Sequence, residues 1–150
     1  MKQEIFSRRT RDKIRGNLVQ YVKPLIMGKK FPVWAYLFVT RNCNLACTYC
    51  HVNRKACEKM GMQGASVEMS SDELKEAIDK LYSLGTRYIS FFGGEPTLRR
   101  KELVEAIKHA SKKRNIFTQL PTNGTTILQP RYIEQLGEAQ LDMVDISLDS

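Results

Sequence analysis

Cys43-Asn44-Leu45-Ala46-Cys47-Thr48-Tyr49-Cys50 is the stretch of this chain that says most about its fold and chemistry. It places three of the four cysteines within eight residues, in the spacing C-x3-C-x2-C. Cysteine thiolates are the ligands of iron–sulfur clusters, and a [4Fe–4S] cluster normally takes four of them. Three ligands on one loop hold three irons and leave the fourth iron open. The spacing therefore predicts a cluster site whose open iron binds a small molecule.

Disulfides and zinc are the alternative uses of these cysteines. Cys47 and Cys50 are too close for an easy bridge, and the N-terminus lacks the apolar region of a secretory signal. C-x2-C is also a zinc spacing, but zinc usually draws on a second, distant pair of ligands, and the sequence has no such pair. Cys57 or His51 could supply a fourth ligand. Zinc therefore stays open, although four ligands in one short loop would be unusual.

Three further motifs follow the cysteine loop, each at the end of a predicted strand. They are Gly93-Gly94-Glu95-Pro96, Thr122-Asn123-Gly124 and Ile146-Ser147-Leu148-Asp149. Paired glycines let the backbone approach a ligand without a Cβ clash, and proline stiffens the turn that follows. Parallel α/β folds build their sites at the carboxyl ends of strands. We therefore expect all four motifs to meet at one edge of a sheet.

The cysteine spacing, the aromatic residue before its last cysteine and the GGEP, TNG and SLD motifs together resemble the radical S-adenosylmethionine (radical SAM) superfamily. The resemblance looks closest to the subgroup of molybdenum-cofactor synthase and the peptide-modifying enzymes with SPASM domains. It implies an enzyme in which Cys43, Cys47 and Cys50 hold a [4Fe–4S] cluster whose open iron chelates S-adenosylmethionine. Reductive cleavage of that ligand would yield a 5′-deoxyadenosyl radical. The substrate would be a peptide, a cofactor precursor or a lipid, which the sequence does not identify.

The resemblance also implies which residues surround S-adenosylmethionine. The ring of Tyr49 would lie near the adenine, and Glu95 or nearby backbone carbonyls would accept hydrogen bonds from the ammonium group. Thr122, Asn123 and Ser147 would contact the ribose or the carboxylate. The full set of expected cofactor-binding residues is Tyr49, Gly93, Gly94, Glu95, Pro96, Thr122, Asn123 and Ser147. An electron donor such as flavodoxin or ferredoxin is the expected partner.

Composition indicates a soluble α/β protein with a basic N-terminal arm. The chain has 150 residues, 42% hydrophobic and 27% charged, without an apolar run long enough for a membrane span, so the cytoplasm is expected. The net charge is +8, and nine of the 24 Lys and Arg residues fall in residues 1–30. Such an arm could contact an anionic surface, either RNA or a membrane, or be a solvated helix packed outside the domain. Its rough apolar stripe comprises Ile14, Leu18, Val22, Leu25 and Ile26.

A second hypothesis takes the chain as a non-catalytic zinc- or cluster-binding module whose basic arm contacts RNA or a membrane. It predicts binding to nucleic acid that weakens steeply with salt. The sequence has no interleaved basic and aromatic motifs of the RNA-binding type. The hypothesis also leaves the GGEP motif without a role, so the enzyme hypothesis is favoured.

Hydrophobic patterning after residue 32 alternates strand and helix, which predicts parallel βαβ units. Expected strands are Val33–Thr40, Arg87–Phe92, Asn115–Leu120 and Asp142–Asp149, and expected helices are 4–27, Ser71–Leu84, Arg99–Lys113 and one after Pro130. A Ser70–Glu73 capping box and a Gly85 stop mark one helix. The predicted fold is α/β: the N-terminal four βα units of a partial (βα)6 TIM-like barrel, preceded by a basic helical arm. The arm spans 1–32, and the core, expected to be incomplete, spans 33–150.

Side-chain alternation predicts which faces are buried. In the fourth strand the set expected beneath helices is Val144, Ile146 and Leu148, and the set expected to face the barrel interior is Asp145, Ser147 and Asp149. Trp34 is expected in the core. Residues 51–69 are expected to form a loop in which Cys57 is a free buried thiol and Met60, Met62 and Met69 fill space.

Overall fold

The computed structural model describes residues 8–26, 28, 31–50 and 68–148. Its elements are α1 (Arg8–Ile26), β1 (Trp34–Thr40), α2 (Ser71–Ser83), β2 (Tyr88–Gly93), a 3-10 turn (Pro96–Arg99), α3 (Arg100–Ser111), β3 (Phe117–Thr122), α4 (Pro130–Glu138) and β4 (Met143–Ile146). The expectations for Cys57, His51, Met60, Met62 and Asp149 lie outside the described residues. Within the described part, no helix is long and apolar enough to cross a membrane.

The four strands form one parallel sheet in the order β1-β2-β3-β4. Helices α2, α3 and α4 occupy the connections between successive strands. This is the α/β arrangement of the first units of a TIM-like barrel, so the predicted fold class is confirmed. All four strands run the same way, so their carboxyl ends lie along one edge of the sheet.

The hydrophobic core lies between one face of the sheet and the helices. Buried side chains from the sheet include Leu37, Val39, Ile89, Phe91 and Leu120, and those from the helices include Leu74, Ile78, Leu103, Ile107 and Leu136. The α2 capping box is confirmed, since the Glu73 amide donates to Ser70 Oγ at 3.3 Å and the Ser70 amide donates to Glu73 Oε2 at 2.7 Å. Gly85 ends this helix with φ +106°, as predicted.

The prediction that Trp34 belongs to the core is wrong, because Trp34 is 48% exposed. Alternation along β1 puts Leu37 and Val39 on the helix-covered face and Trp34 on the opposite, barrel-facing side. There its ring lies 4.3 Å from that of Tyr88, which in turn lies 4.9 Å from that of Phe117, as measured between centroids. These three rings form a row across the amino-terminal ends of the strands.

The burial expected for the fourth strand is also wrong. Val144 and Ile146 align with Leu120 and Thr122 of β3, so they do lie on the helix side of the sheet. They are nevertheless 40% and 49% exposed, and Leu148 is 88% exposed. Orientation alone does not bury a side chain: among the described residues β4 packs closely only with β3, and no helix covers it.

Helix α1 packs against the domain with a polar face that lies beside its apolar stripe. Ile14, Leu18, Val22 and Ile26 are between 44% and 80% exposed. Among the α1 side chains whose burial the structure describes, the buried ones are Thr10, Lys13 and Asn17. Their spacing of three and four places them on one face. The helix is therefore attached to the domain through polar contacts, which are strongest between Lys13 and Asp142.

Candidate active site

Four loops meet at the carboxyl edge of the sheet. The cysteine loop follows β1, the GGEP turn follows β2, the TNG segment ends β3, and Ser147 follows β4. The Ser147 amide donates to the Thr122 carbonyl at 3.0 Å, which joins the last two of these segments. The structure thus brings together all four motifs that the sequence singled out.

Gly93 and Gly94 lie directly against the backbone of the cysteine loop. The Gly94 amide donates to the Thr40 carbonyl at 2.9 Å, and the Glu95 amide donates to the Asn42 carbonyl at 2.8 Å. A Cβ on Gly93 would lie 2.2 Å from the Thr40 oxygen, and one on Gly94 would lie 2.3 Å from the Asn42 oxygen. The close approach that requires glycine here is therefore to the cysteine loop itself.

Glu95 connects the second and third motifs from inside the protein. Its side chain is 1% exposed. Oε1 accepts from the Thr97 amide at 3.1 Å, from the Thr97 hydroxyl and from the Thr122 hydroxyl at 2.7 Å, while Oε2 accepts from the Asn123 amide at 2.8 Å. Both carboxylate oxygens are thus engaged with protein donors. Thr97, which the sequence analysis missed, lies in the 3-10 turn that the buried Pro96 begins.

None of the three cysteines of the loop forms a disulfide, and all three are partly buried. The loop turns at its end, where the Cys50 amide donates to the Cys47 carbonyl at 3.3 Å. In the described part of the chain, no three His, Cys, Asp or Glu side chains converge as the ligands of a single metal ion do. A [4Fe–4S] cluster takes one thiolate per iron, so its ligands are spread around it. Three partly exposed cysteine thiols on one loop, none of them in a disulfide, fit that group.

A second polar network supports the start of the cysteine loop. Glu68 accepts hydrogen bonds from the Thr40 hydroxyl and from Asn42 Nδ2, the latter at 3.1 Å. Arg99 pairs with Glu68 at 3.3 Å and donates to the Val39 carbonyl at 3.0 Å. The sequence analysis did not identify Glu68 or Arg99, because neither belongs to a motif and each acts on a distant segment.

Asn123 joins the third motif to the cysteine loop. Its Nδ2 lies 2.8 Å from Asn44 Oδ1 and 3.9 Å from Cys43 Sγ. Asn44 Nδ2 donates in turn to Thr125 Oγ1 at 2.7 Å. Asn44 and Thr125 were not predicted as site residues, although both are immediate neighbours of motif residues. The network places an asparagine amide beside a candidate ligand sulfur.

The remaining expected site residues divide into exposed and buried groups. Tyr49 is 60% exposed and Ser147 is exposed, so both present surface at the carboxyl edge. Thr122 is 4% exposed, and its hydroxyl bonds to Glu95 and to the Gly124 amide. Thr122 therefore shapes the loop, whereas Tyr49 and Ser147 are accessible to a ligand.

A row of hydrogen-bonded polar side chains crosses the barrel-facing side of the sheet below these loops. The Tyr88 hydroxyl donates to Gln119 Oε1 at 2.8 Å, and Gln119 Nε2 donates to Asp145. Burial, with a smaller contribution from the charge of Asp145, raises the pKa of Tyr88 to about 12. Tyr88 is therefore a protonated hydrogen-bond donor at neutral pH. Asp145 thus lies on the interior face, as its place in the alternation predicted.

Comparison with known proteins places this geometry in a family. The family model described as the radical SAM superfamily matches residues 37–150. Fe-coproporphyrin III synthase of Methanosarcina barkeri is 36% identical over 91% of this chain and 31% of its own length. A probable GTP 3′,8-cyclase of Methanococcus maripaludis is 37% identical over 76% of this chain and 35% of its own length.

A third relative, the PqqA peptide cyclase of Bradyrhizobium diazoefficiens, is 35% identical over 77% of this chain. That match covers 28% of the relative's own length. The chain thus spans about a third of the length of the curated relatives it matches. The range matched by the family model, residues 37–150, carries the four motif loops of this chain.

Proposed function

Because this chain belongs to the radical SAM superfamily, we propose that its cysteine loop is the cluster site of an enzyme that reductively cleaves S-adenosylmethionine. Members of the superfamily use a [4Fe–4S] cluster together with S-adenosylmethionine. The observation that carries the proposal is the placement of Cys43, Cys47 and Cys50 on one loop, held by backbone hydrogen bonds against the Gly93-Gly94 turn. When bound, the cluster supplies the electron that turns S-adenosylmethionine into a source of the 5′-deoxyadenosyl radical.

Some residues around the cysteine loop contact S-adenosylmethionine, and others fix the shape of the neighbouring turns. Tyr49 and Ser147 contact the adenosine and methionine parts of the ligand, and their exposure at the carboxyl edge supports this role. Backbone carbonyls of the GGEP turn accept from its ammonium group, because the Glu95 carboxylate is already engaged inside the protein. Gly93, Gly94, Pro96 and Thr122 act by shaping the two turns. Asn123 contacts the cysteine loop through Asn44 and Cys43.

The substrate binds on the barrel-facing side of the sheet. Tyr36 and Phe38 are 58% and 46% exposed there. Phe92 lies beside both of them, with its ring centroid 5.6 Å from that of Tyr36 and 5.2 Å from that of Phe38. Aromatic side chains of this kind favour substrates with an apolar or conjugated part. The names of the three relatives refer to a porphyrin, to GTP and to a peptide. A substrate of one of these three classes is consistent with the aromatic surface of Tyr36, Phe38 and Phe92.

The enzyme also requires an electron donor, such as flavodoxin or ferredoxin, and a compartment in which thiols stay reduced, which is the cytoplasm. The basic residues of α1 lie at the opposite end of the strands from the cysteine loop. Because electron transfer requires a short distance to the cluster, the donor docks at the carboxyl edge and not on α1.

Anaerobic reconstitution of the protein, followed by EPR of the dithionite-reduced form with and without S-adenosylmethionine, tests the proposal. We expect a [4Fe–4S]+ signal that shifts when S-adenosylmethionine is added. The signal should be lost in Cys47→Ala and kept in Cys57→Ala, which removes the one cysteine outside the motif. A protein that takes up zinc in place of a cluster, or a signal indifferent to S-adenosylmethionine, would contradict the proposal.

A further inference from the structure

We propose that Asn123 donates an N–H···S hydrogen bond to the thiolate of Cys43 and thereby raises the reduction potential of the cluster. Asn123 is then a positioning and tuning residue that acts through a ligand. The inference rests on the proposed function, because it takes Cys43 as a cluster ligand.

Two N–H groups point at the Cys43 sulfur. Asn123 Nδ2 lies 3.9 Å from Cys43 Sγ, and the Leu45 amide lies 3.4 Å from it. The Leu45 contact arises within the loop, two residues along the chain. The Asn123 contact comes from the turn after β3, 80 residues away in sequence. Cys43 is thus approached by donors from both sides.

The orientation of the Asn123 amide is set by its other partners. Its Oδ1 accepts from the Thr125 amide at 3.0 Å and from the Thr125 hydroxyl at 2.7 Å. Its Nδ2 donates to Asn44 Oδ1 at 2.8 Å. A flipped amide would bring its NH2 group against the Thr125 amide donor and its oxygen against Asn44 Oδ1. The arrangement therefore keeps nitrogen, not oxygen, on the sulfur side.

Glu95 supports the main chain of the same residue. Its buried carboxylate accepts from the Asn123 backbone amide at 2.8 Å and from the Thr122 hydroxyl at 2.7 Å. The Asn123 backbone is thus tied to the interior, and its side chain spans the gap to the cysteine loop. A donor held in this way needs no reorganisation when the charge on the sulfur changes.

Hydrogen bonds to ligand sulfurs are among the features that set cluster potentials. The reduced cluster carries one more negative charge than the oxidised cluster, and part of that charge resides on the ligand sulfurs. An N–H dipole aimed at Cys43 Sγ therefore stabilises the reduced form more than the oxidised form. The electron comes from the external donor, and no group of the network changes its oxidation state.

The test is a redox titration of the reconstituted cluster, without S-adenosylmethionine, followed by EPR. Asn123→Leu removes the donor at similar size, and Asn123→Asp, which is isosteric, replaces it by a carboxylate. We expect the midpoint reduction potential of the cluster to be more negative in Asn123→Leu than in the parent, and more negative still in Asn123→Asp. At the parent's midpoint potential, less than half of the cluster in each variant is then reduced. Leu128→Ala, at a 76% exposed position on the same segment and outside this network, is the control and should keep the parent midpoint potential.

The outcomes separate this inference from the function on which it rests. A parent protein that forms no cluster contradicts the proposed function. A cluster that forms in the parent and in the variants with one common midpoint overturns the inference alone. The inference is likewise overturned if neither Asn123 variant holds a cluster that the parent holds, because Asn123 would then be a structural support. It is also overturned if Leu128→Ala shifts the midpoint potential as far as Asn123→Leu does.

Discussion

At the residue scale, the motif side chains act mainly on one another. Glu95, expected to face a ligand, instead connects two turns from the interior. Gly93 and Gly94 admit the backbone carbonyls of Thr40 and Asn42, which a Cβ at either position would meet. The reason is geometric: three thiolates can hold one cluster only if their loop has a defined shape, and the neighbouring turns impose that shape through backbone hydrogen bonds.

Replacing Gly94 by alanine tests this packing. The new Cβ would lie 2.3 Å from the Asn42 carbonyl oxygen, so the cysteine loop has to move. We expect a loss of unfolding free energy of about 1–3 kcal/mol, as for other overpacked sites, and a lower iron content after reconstitution. Chemical denaturation and iron analysis measure the two effects.

Gly137→Ala is the control, because a Cβ there meets nothing within 4 Å. In a helix the same change is neutral or stabilises by up to about 1 kcal/mol. If Gly94→Ala behaved like Gly137→Ala, the close approach of the two loops would not be a constraint on the site.

At the element scale, helix α2 begins where local chemistry dictates. Ser70 and Glu73 exchange hydrogen bonds that satisfy two amides otherwise left without partners at a helix start. The segment just before Ser70 contains Glu68, which supports Thr40 and Asn42 at the start of the cysteine loop. The cap therefore fixes the helix end from which this support extends.

The capping box gives α2 a pH dependence that Glu73→Gln reveals. Hydrogen bonds from the backbone and then from the hydroxyl of Ser70 lower the pKa of Glu73 below its ordinary value of 4.5. A carboxylate whose pKa is lowered on folding stabilises the fold above its unfolded pKa and loses that contribution as pH falls through its folded pKa. The difference in Tm between the parent and Glu73→Gln should therefore be present at neutral pH and shrink below pH 4.5.

Thermal unfolding at a series of pH values makes this measurement. Glu76→Gln removes an exposed carboxylate from the same helix without touching the cap and serves as the control. A Tm difference for Glu73→Gln that stayed constant through the acid range would show that the charge on Glu73 has no part in the cap.

At the scale of the whole molecule, a buried ion pair attaches α1 to the sheet. Lys13 Nζ lies 2.6 Å from Asp142 Oδ2, with 7% and 2% of the two side chains exposed. Asp142 also accepts from the Thr118 amide at 3.0 Å and from the Thr10 hydroxyl at 3.3 Å. The basic arm is thus joined to the amino-terminal ends of β3 and β4, and the described residues of its apolar stripe stay partly exposed beside this attachment.

Lys13→Met should be strongly destabilising, because it leaves the buried Asp142 carboxylate without its cation. Removing one partner of a buried pair costs about 3–5 kcal/mol. Arg15→Met, at an exposed position of the same helix, should cost far less and is the matched control. Chemical denaturation compares the two, and equal effects would mean that α1 is held by something other than this pair.

The sequence by itself determined the four motif loops, the parallel α/β order of elements and the capping box. Each of these is local: residue spacing selects the ligands, and side-chain period distinguishes strand from helix. Only the tertiary structure decided that Lys13 meets Asp142, 129 residues away, and that Asn123 meets Cys43, 80 residues away. It also decided which predicted faces are covered, since Val144 and Trp34 point in definite directions but are buried only where another element packs against them. Contacts between distant segments depend on how whole elements dock, and no local pattern encodes that.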